Sequence, residues 1–297
     1  MHVMDYGLKA IDFQNPQPAT TRRGLSRREF MVTTLATGFA VASGAVEAAA
    51  ITTDSKGLIA GEVSIPVADG KVPAYRALPA KGSNFPVILV IQEIFGVHEH
   101  IKDMCRRYAK QGYYAIAPEL FARQGDVSTM ADIGKILSDV VAKVPDAQVF
   151  SDLDATVAFA KASGKANTAR LGVVGYCYGG RIVWLYADHN PAVKAGVAYY
   201  GLLAGMKSEL KPRDAIDVGA TLKTPVLGLY ASKDAYIPND VVENMRGALA
   251  KGSSGSEIVL FPNVDHGFNA DYRPTYDKGA AEYAQGLAND WFRKHGV

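Results

Sequence analysis

Pro86–Ile91 is six residues without one polar side chain. A run of that length reads as a strand buried on both faces, and such strands belong to mainly parallel sheets covered by helices. The neighbouring segments keep the same rhythm. Gly61–Val67 and Val72–Leu78 read as an antiparallel pair turning at Asp69-Gly70. The helix after Ile91 places Ile101, Met104, Cys105, Tyr108 and Ala109 on one face. Tyr113–Ala117 is the next strand, and the stretches Ala131–Val144 and Val149–Ala162 read as helices. Leu171–Val174 is a strand that runs into a glycine-rich turn and a helix through Tyr186. Val193–Tyr199, Val226–Tyr230 and Ile258–Phe261 are further strands. A helix carries Val241, Val242, Met245 and Leu249, and the final helix presents Tyr276, Ala280, Tyr283, Leu287 and Trp291 on one side. Strands alternating with helices predict one α/β domain over 51–297, its central sheet mainly parallel with helices on both faces.

The first fifty residues follow different rules. A polar stretch leads to Arg22-Arg23 and then to Ser26-Arg27-Arg28-Glu29-Phe30. An apolar run of small residues extends from Met31 to Val46, and Ala48-Ala49-Ala50 has the form of a signal-peptidase site. Residues 1–50 therefore read as a twin-arginine-type export signal, which implies the twin-arginine machinery as a partner and a periplasmic destination. The run is weakly hydrophobic for a spanning helix, so no stable anchor is expected after cleavage near Ala50; the competing reading is a basic linker with an uncleaved anchor. The formal net charge of +2 and scattered basic residues point away from nucleic acid. The two cysteines, Cys105 and Cys177, make no disulfide framework and show no zinc spacing.

The chemistry begins at Gly175-Tyr176-Cys177-Tyr178-Gly179-Gly180, between a buried strand and a helix. A sharp strand–turn–helix lifts its central side chain above the sheet, and glycines two places to either side relieve the crowding. Cys177 would then sit at a helix N-terminus, where the dipole and free N–H groups favour a thiolate. Taken alone, the motif fits equally a tight glycine turn around a small buried cysteine. Two later segments tip the balance. Asp234 follows the strand ending at Tyr230, and His266 follows the last strand. Acid and base thus come after the nucleophile, in the order this kind of turn requires, and each stands at a strand end. His266 would take the thiol proton or hold it as an ion pair, and Asp234 would orient the ring and stabilise the imidazolium. Asp265 is disfavoured because it adjoins the base in sequence.

With those residues in place the chain resembles the dienelactone hydrolase (carboxymethylenebutenolidase) family of the α/β-hydrolase superfamily. The matching stretches are Gln92–Val97, Leu120–Gln124, Val174–Gly180, Ala198–Gly201 and His266–Phe268. The resemblance implies that Glu93 interacts with the thiol and controls its activation. It also implies that the N–H groups of Ile94 and Tyr178 form an oxyanion hole, and that Arg123 grips a substrate carboxylate. The family's best-known members carry a second arginine four residues beyond the histidine. Ala270 holds that position here, and Arg273, three further on, is the candidate replacement. Tyr199, Tyr236, Phe268 and Tyr272 could line a pocket, with Tyr199 as a substrate contact. Cys105 reads as a core thiol, and His98 and His100 lack a third metal ligand. The expected function is thiol-dependent hydrolysis of a small ester or lactone without a cofactor. A broad carboxylesterase and a catalytically silent exported binding protein are the alternatives.

Overall fold

The computed structural model describes residues 50–297. The export segment expected over 1–50 lies outside the described residues, save Ala50. Eight strands form one sheet: β1 (Leu58–Val67), β2 (Gly70–Pro79), β3 (Phe85–Ile91), β4 (Tyr114–Pro118), β5 (Ala166–Tyr176), β6 (Val193–Tyr199), β7 (Val226–Ala231) and β8 (Glu257–Phe261). Their order is β1-β2-β4-β3-β5-β6-β7-β8. The β1–β2 and β2–β4 pairings are antiparallel, and every pairing from β4 to β8 is parallel. Five longer helices flank the sheet: α1 (Glu99–Lys110), α2 (Asp146–Ala162), α3 (Tyr178–His189), α4 (Asn239–Leu249) and α5 (Lys278–Lys294). Val87–Ile91 are fully buried, as the apolar run of β3 demands. Ile101, Met104, Cys105, Tyr108 and Ala109 all point into the core from α1. Burial pushes the Cys105 thiol far above its ordinary pKa, so this sulfur is an inert packing atom.

Three expectations are corrected. Ala131–Val144 is not one helix: short helical turns at Ile133–Lys135, Ile136–Val140 and Val141–Lys143 replace it. Val140 stays in the right-handed region but at an irregular φ of −119°, and the buried Lys211 ammonium takes the carbonyls of Val141, Ala142 and Val144 at 2.8–3.2 Å. Those carbonyls are thereby satisfied without further helix. The buried face of α5 is Ala281, Ala284, Ala288, Trp291 and Phe292, whereas Tyr283 is 63% exposed and Tyr276 precedes the helix. Trp291 is buried as expected, and Ala280 and Leu287 pack at the margin of the core; the alanines let the helix approach the sheet closely and turn Tyr283 outward. Lastly, β5 begins at Ala166 rather than Leu171. Its first residues pair only with Phe85 and Pro86 before a register shift, so they carry no apolar run.

Because β3 and β5–β8 are parallel, Glu93, Cys177, Tyr200, Asp234 and His266 all leave the sheet at one edge, each just past a strand's C-terminal end. Among the described residues no helix is long and apolar enough to cross a membrane.

Candidate active site

Cys177 joins β5 to α3 at φ 53°, ψ −112°, a conformation rarely adopted by a side-chain-bearing residue. Its N–H donates to the Tyr199 carbonyl at 3.0 Å, and the Arg181 N–H donates to its own carbonyl at 3.3 Å. The flanking glycines are sterically required. A Cβ on Gly175 would overlap the Gly179 carbonyl, and one on Gly179 would overlap the carbonyls of Ile91 and Gln92. That second contact seats the first turn of α3 against the chain leading into Glu93 and Ile94. Tyr178 is the first residue of α3, and an N–H at that position has no acceptor within its own helix.

His266 is buried beside Cys177. Its Nδ1 lies 2.7 Å from Asp234 Oδ2, and Asp234 Oδ1 accepts from the N–H groups of Tyr236 (2.8 Å) and Ile237 (3.1 Å). The carboxylate is thus fixed by its own loop before it fixes the ring. Burial works against a charged imidazole here. The Asp234 carboxylate and then Cys177, through charge and hydrogen bonding, outweigh it and push His266 up to about 10. With Nδ1 committed to Asp234, Nε2 is the nitrogen left to face the thiol. The rings of Tyr200 and Tyr236 pack on His266 at centroid distances of 5.0 and 5.1 Å.

Glu93 is fully buried at the other side of the site. Its Oε1 accepts from Arg273 Nη2 at 2.9 Å, while Oε2 accepts from the Tyr272 hydroxyl at 2.5 Å and lies 3.2 Å from His98 Nε2. Burial alone would raise its pKa. Arg273, followed by His98, outweighs burial and holds the carboxyl well below the usual range. A carboxylate held this way is a poor proton acceptor.

The structure therefore gathers Cys177, Asp234, His266, Glu93 and Arg273 at one sheet edge and treats the remaining expectations differently. Arg123 does not stand free to grip a substrate: Asp69 and Asp152 each take its guanidinium through two hydrogen bonds of 2.7–2.9 Å. Arg273, expected as a substrate contact, is engaged with Glu93. Tyr199 is fully buried with its ring against Tyr176 and Phe268, and the adjacent Tyr200 is the one that meets His266. Strand-end alternation placed the boundary at Tyr199 but gave no sign of the turn at Tyr200, whose φ is 36°. In the sequence His98 stands out only as half of an incomplete metal pair and Tyr272 as a lining aromatic; no motif links them to Glu93, which is 179 positions from Tyr272.

The profile of the dienelactone hydrolase family matches residues 72–296. A protein of Methylorubrum extorquens provisionally named carboxymethylenebutenolidase is 60% identical over 274 residues, 92% of this chain and 94% of its own. A similarly named protein of Escherichia coli K12 is 46% identical over 267 residues, 90% of this chain and 98% of its own. A crystal structure from Klebsiella pneumoniae subsp. pneumoniae, provisionally named a dienelactone hydrolase, superposes with a TM-score of 0.78 at 50% identity. It covers 80% of this chain and 99% of that one.

The charge arrangement has a direct readout. Both neighbours that raise the basicity of His266 are anionic or can become so, so removing either should lower its titration midpoint. Histidine-selective NMR on the resting protein should show the His266 ring protonated through neutral pH, titrating near pH 10. The midpoint should fall in Asp234→Asn and, separately, in Cys177→Ala. A ring that titrates near its ordinary value in the unaltered protein would contradict the arrangement.

Proposed function

This chain belongs to the dienelactone hydrolase family and is a hydrolase of lactone or ester bonds, and from that premise we propose that its reaction runs through a thioester on Cys177. The observation that carries the proposal is the line Cys177–His266–Asp234 at the strained end of β5, with the histidine ring held by the carboxylate on one nitrogen. In the resting site His266 already holds the thiol proton as an ion pair with the sulfur, and the sulfur attacks the carbonyl carbon. The developing oxyanion is received by the N–H groups of Ile94 and Tyr178; a donor of this kind is worth roughly 3 kcal/mol of barrier. Collapse breaks the carbon–oxygen bond, and His266 protonates the departing alkoxide. Water then attacks the thioester with His266 as base, releasing the acid and restoring the ion pair of Cys177 and protonated His266. The scheme calls on no group beyond the chain and water.

A broad carboxylesterase is the second reading, and one observation favours it over a strictly anionic lactone. Arg123 and Arg273, the two arginines expected to bind a substrate carboxylate, are engaged with carboxylates of the chain itself, and Ala270 offers no charge. Neutral and anionic esters of similar size should therefore be cleaved with comparable kcat/KM. In assays on such a pair, Cys177→Ala should abolish turnover of both with the melting temperature unchanged within a few degrees. His266→Ala should cost several orders of magnitude, and Asp234→Asn a similar or smaller factor. Retention of full activity by Cys177→Ala would remove the thiol from the mechanism.

We also propose that the protein reaches the periplasm through the twin-arginine route, a reading supported by Arg27-Arg28 ahead of the apolar run ending before Ala48–Ala50. Folding before export would bury Cys105 ahead of oxidising conditions. Arg27→Lys with Arg28→Lys should leave unprocessed precursor in the cytoplasm, whereas the unaltered chain should be recovered from the periplasm beginning near Ile51. An unaltered chain found only in the cytoplasm, with its N-terminus intact, would contradict it.

A further inference from the structure

The expected oxyanion donor Ile94 lies in a loop held from three directions. Gln92 Oε1 accepts from the Leu120 N–H at 3.1 Å, and Glu119 Oε2 accepts from the Val97 N–H at 2.7 Å, so the exit of β4 grips both ends. The third hold comes from the loop that carries His266. Arg273 reaches from that loop to Glu93 and lays its guanidinium over the Phe95 ring at 5.3 Å, so it touches both residues flanking Ile94. On its way it passes directly over Gly267, the neighbour of His266. A Cβ there would lie 2.9 Å from Arg273 Nη1 and push on the guanidinium, and the backbone φ of +79° itself favours glycine. Tyr272 donates to the same Glu93 carboxylate, His98 lies within reach of it, and Arg273 Nε donates to the Tyr272 hydroxyl at 3.1 Å. The pair is buried on both sides.

We infer that Arg273 is a positioning residue: bonded to Glu93 and packed between Gly267 and Phe95, it sets the spacing between the base His266 and the oxyanion donor Ile94, with Tyr272 and His98 holding Glu93 in register. The inference rests on the proposed thiol mechanism and assigns these residues a role apart from both the thiol and the substrate charge. A carboxylate locked by three donors and held strongly acidic is unsuited to exchanging a proton with Cys177. A guanidinium committed to it is unsuited to reading a substrate carboxylate. Misplacement of a catalytic donor by a fraction of its hydrogen-bond length instead costs turnover in the acyl-transfer step, irrespective of substrate charge.

The test compares the unaltered protein with Arg273→Lys and Tyr272→Phe on a matched pair of neutral and anionic esters, alongside the rate at which iodoacetamide alkylates Cys177. Arg273→Lys keeps the charge and loses the planar fork; Tyr272→Phe keeps both charges and loses one hydroxyl, so it serves should the lysine variant fail to fold. Each variant should lower kcat between about ten- and a hundredfold, equally for both esters, with KM within about twofold and the alkylation rate unchanged. A loss confined to the anionic ester, with raised KM, would show that Arg273 reads the substrate. Alkylation falling in step with kcat would place the Glu93 pair on the thiol, and unchanged kcat in the folded variants would also overturn the inference. Failure of the thiol mechanism itself is seen separately, as Cys177→Ala retaining turnover.

Discussion

Cys177 is held where its backbone does not want to be, and the rest of the site follows from that. A side-chain-bearing residue at φ 53°, ψ −112° costs on the order of 1–3 kcal/mol. The surroundings over-determine it. β6 accepts its N–H, α3 winds onto its carbonyl, and the glycines on either side permit backbone contacts that no other residue allows. Farther along α3, the fully buried Arg181 makes two hydrogen bonds of 2.8 and 2.7 Å to Asp146 at the start of α2 and a third to the Arg213 carbonyl. The helix that begins at the sulfur is therefore fixed at its first turns, and the thiol leaves the sheet in one direction only.

Two buried ion pairs then flank the thiol, and they do different work. Desolvating charged groups is expensive, and a buried pair is rarely a net source of stability compared with well-packed apolar groups. Their placement is better explained by chemistry. Asp234 with His266 stores basicity beside the sulfur: the ring can hold a proton at neutral pH while an anion forms next to it. Glu93 with Arg273 cancels its own charge and leaves geometry as its contribution, a fixed connection between the loops after β3 and β8. In the first pair the charge matters because it is close to the reacting atom. In the second, the charges matter because they are strong enough to fix two loops.

Much of this could be read from the chain. A continuous apolar run marked β3 because that strand is buried on both faces, and Val193–Tyr199, though it carries the exposed Lys194, matches β6 residue for residue. The placement of Cys177, Asp234 and His266 at one sheet edge was legible because each follows a strand and the local sequence dictates the turn. What escaped had no local signature. The start of β5 pairs at the margin of the core, the buried stripe of α5 begins with three alanines, and the segment before Pro145 is shaped by a lysine some 70 positions away. The same holds for the polar groups. Arg123 resembles a substrate contact in its own pentapeptide, and only the folded chain brings Asp69 and Asp152 to it. Arg273 stands three residues past the position the family pattern points to, and its bond to Glu93 spans 180 positions.

The account turns on a covalent bond between the acyl group and one sulfur, and that bond can be looked for. Enzyme quenched in acid during turnover of an activated ester, digested and mapped by mass spectrometry, should carry the acyl mass on the peptide containing Cys177, with Cys105 unmodified. The adduct should be absent in Cys177→Ala and should accumulate in a variant with His266 replaced after the thiol has been acylated by a reactive ester. Turnover with a pre-steady-state burst but no mass on Cys177, or an adduct on any other residue, would contradict it.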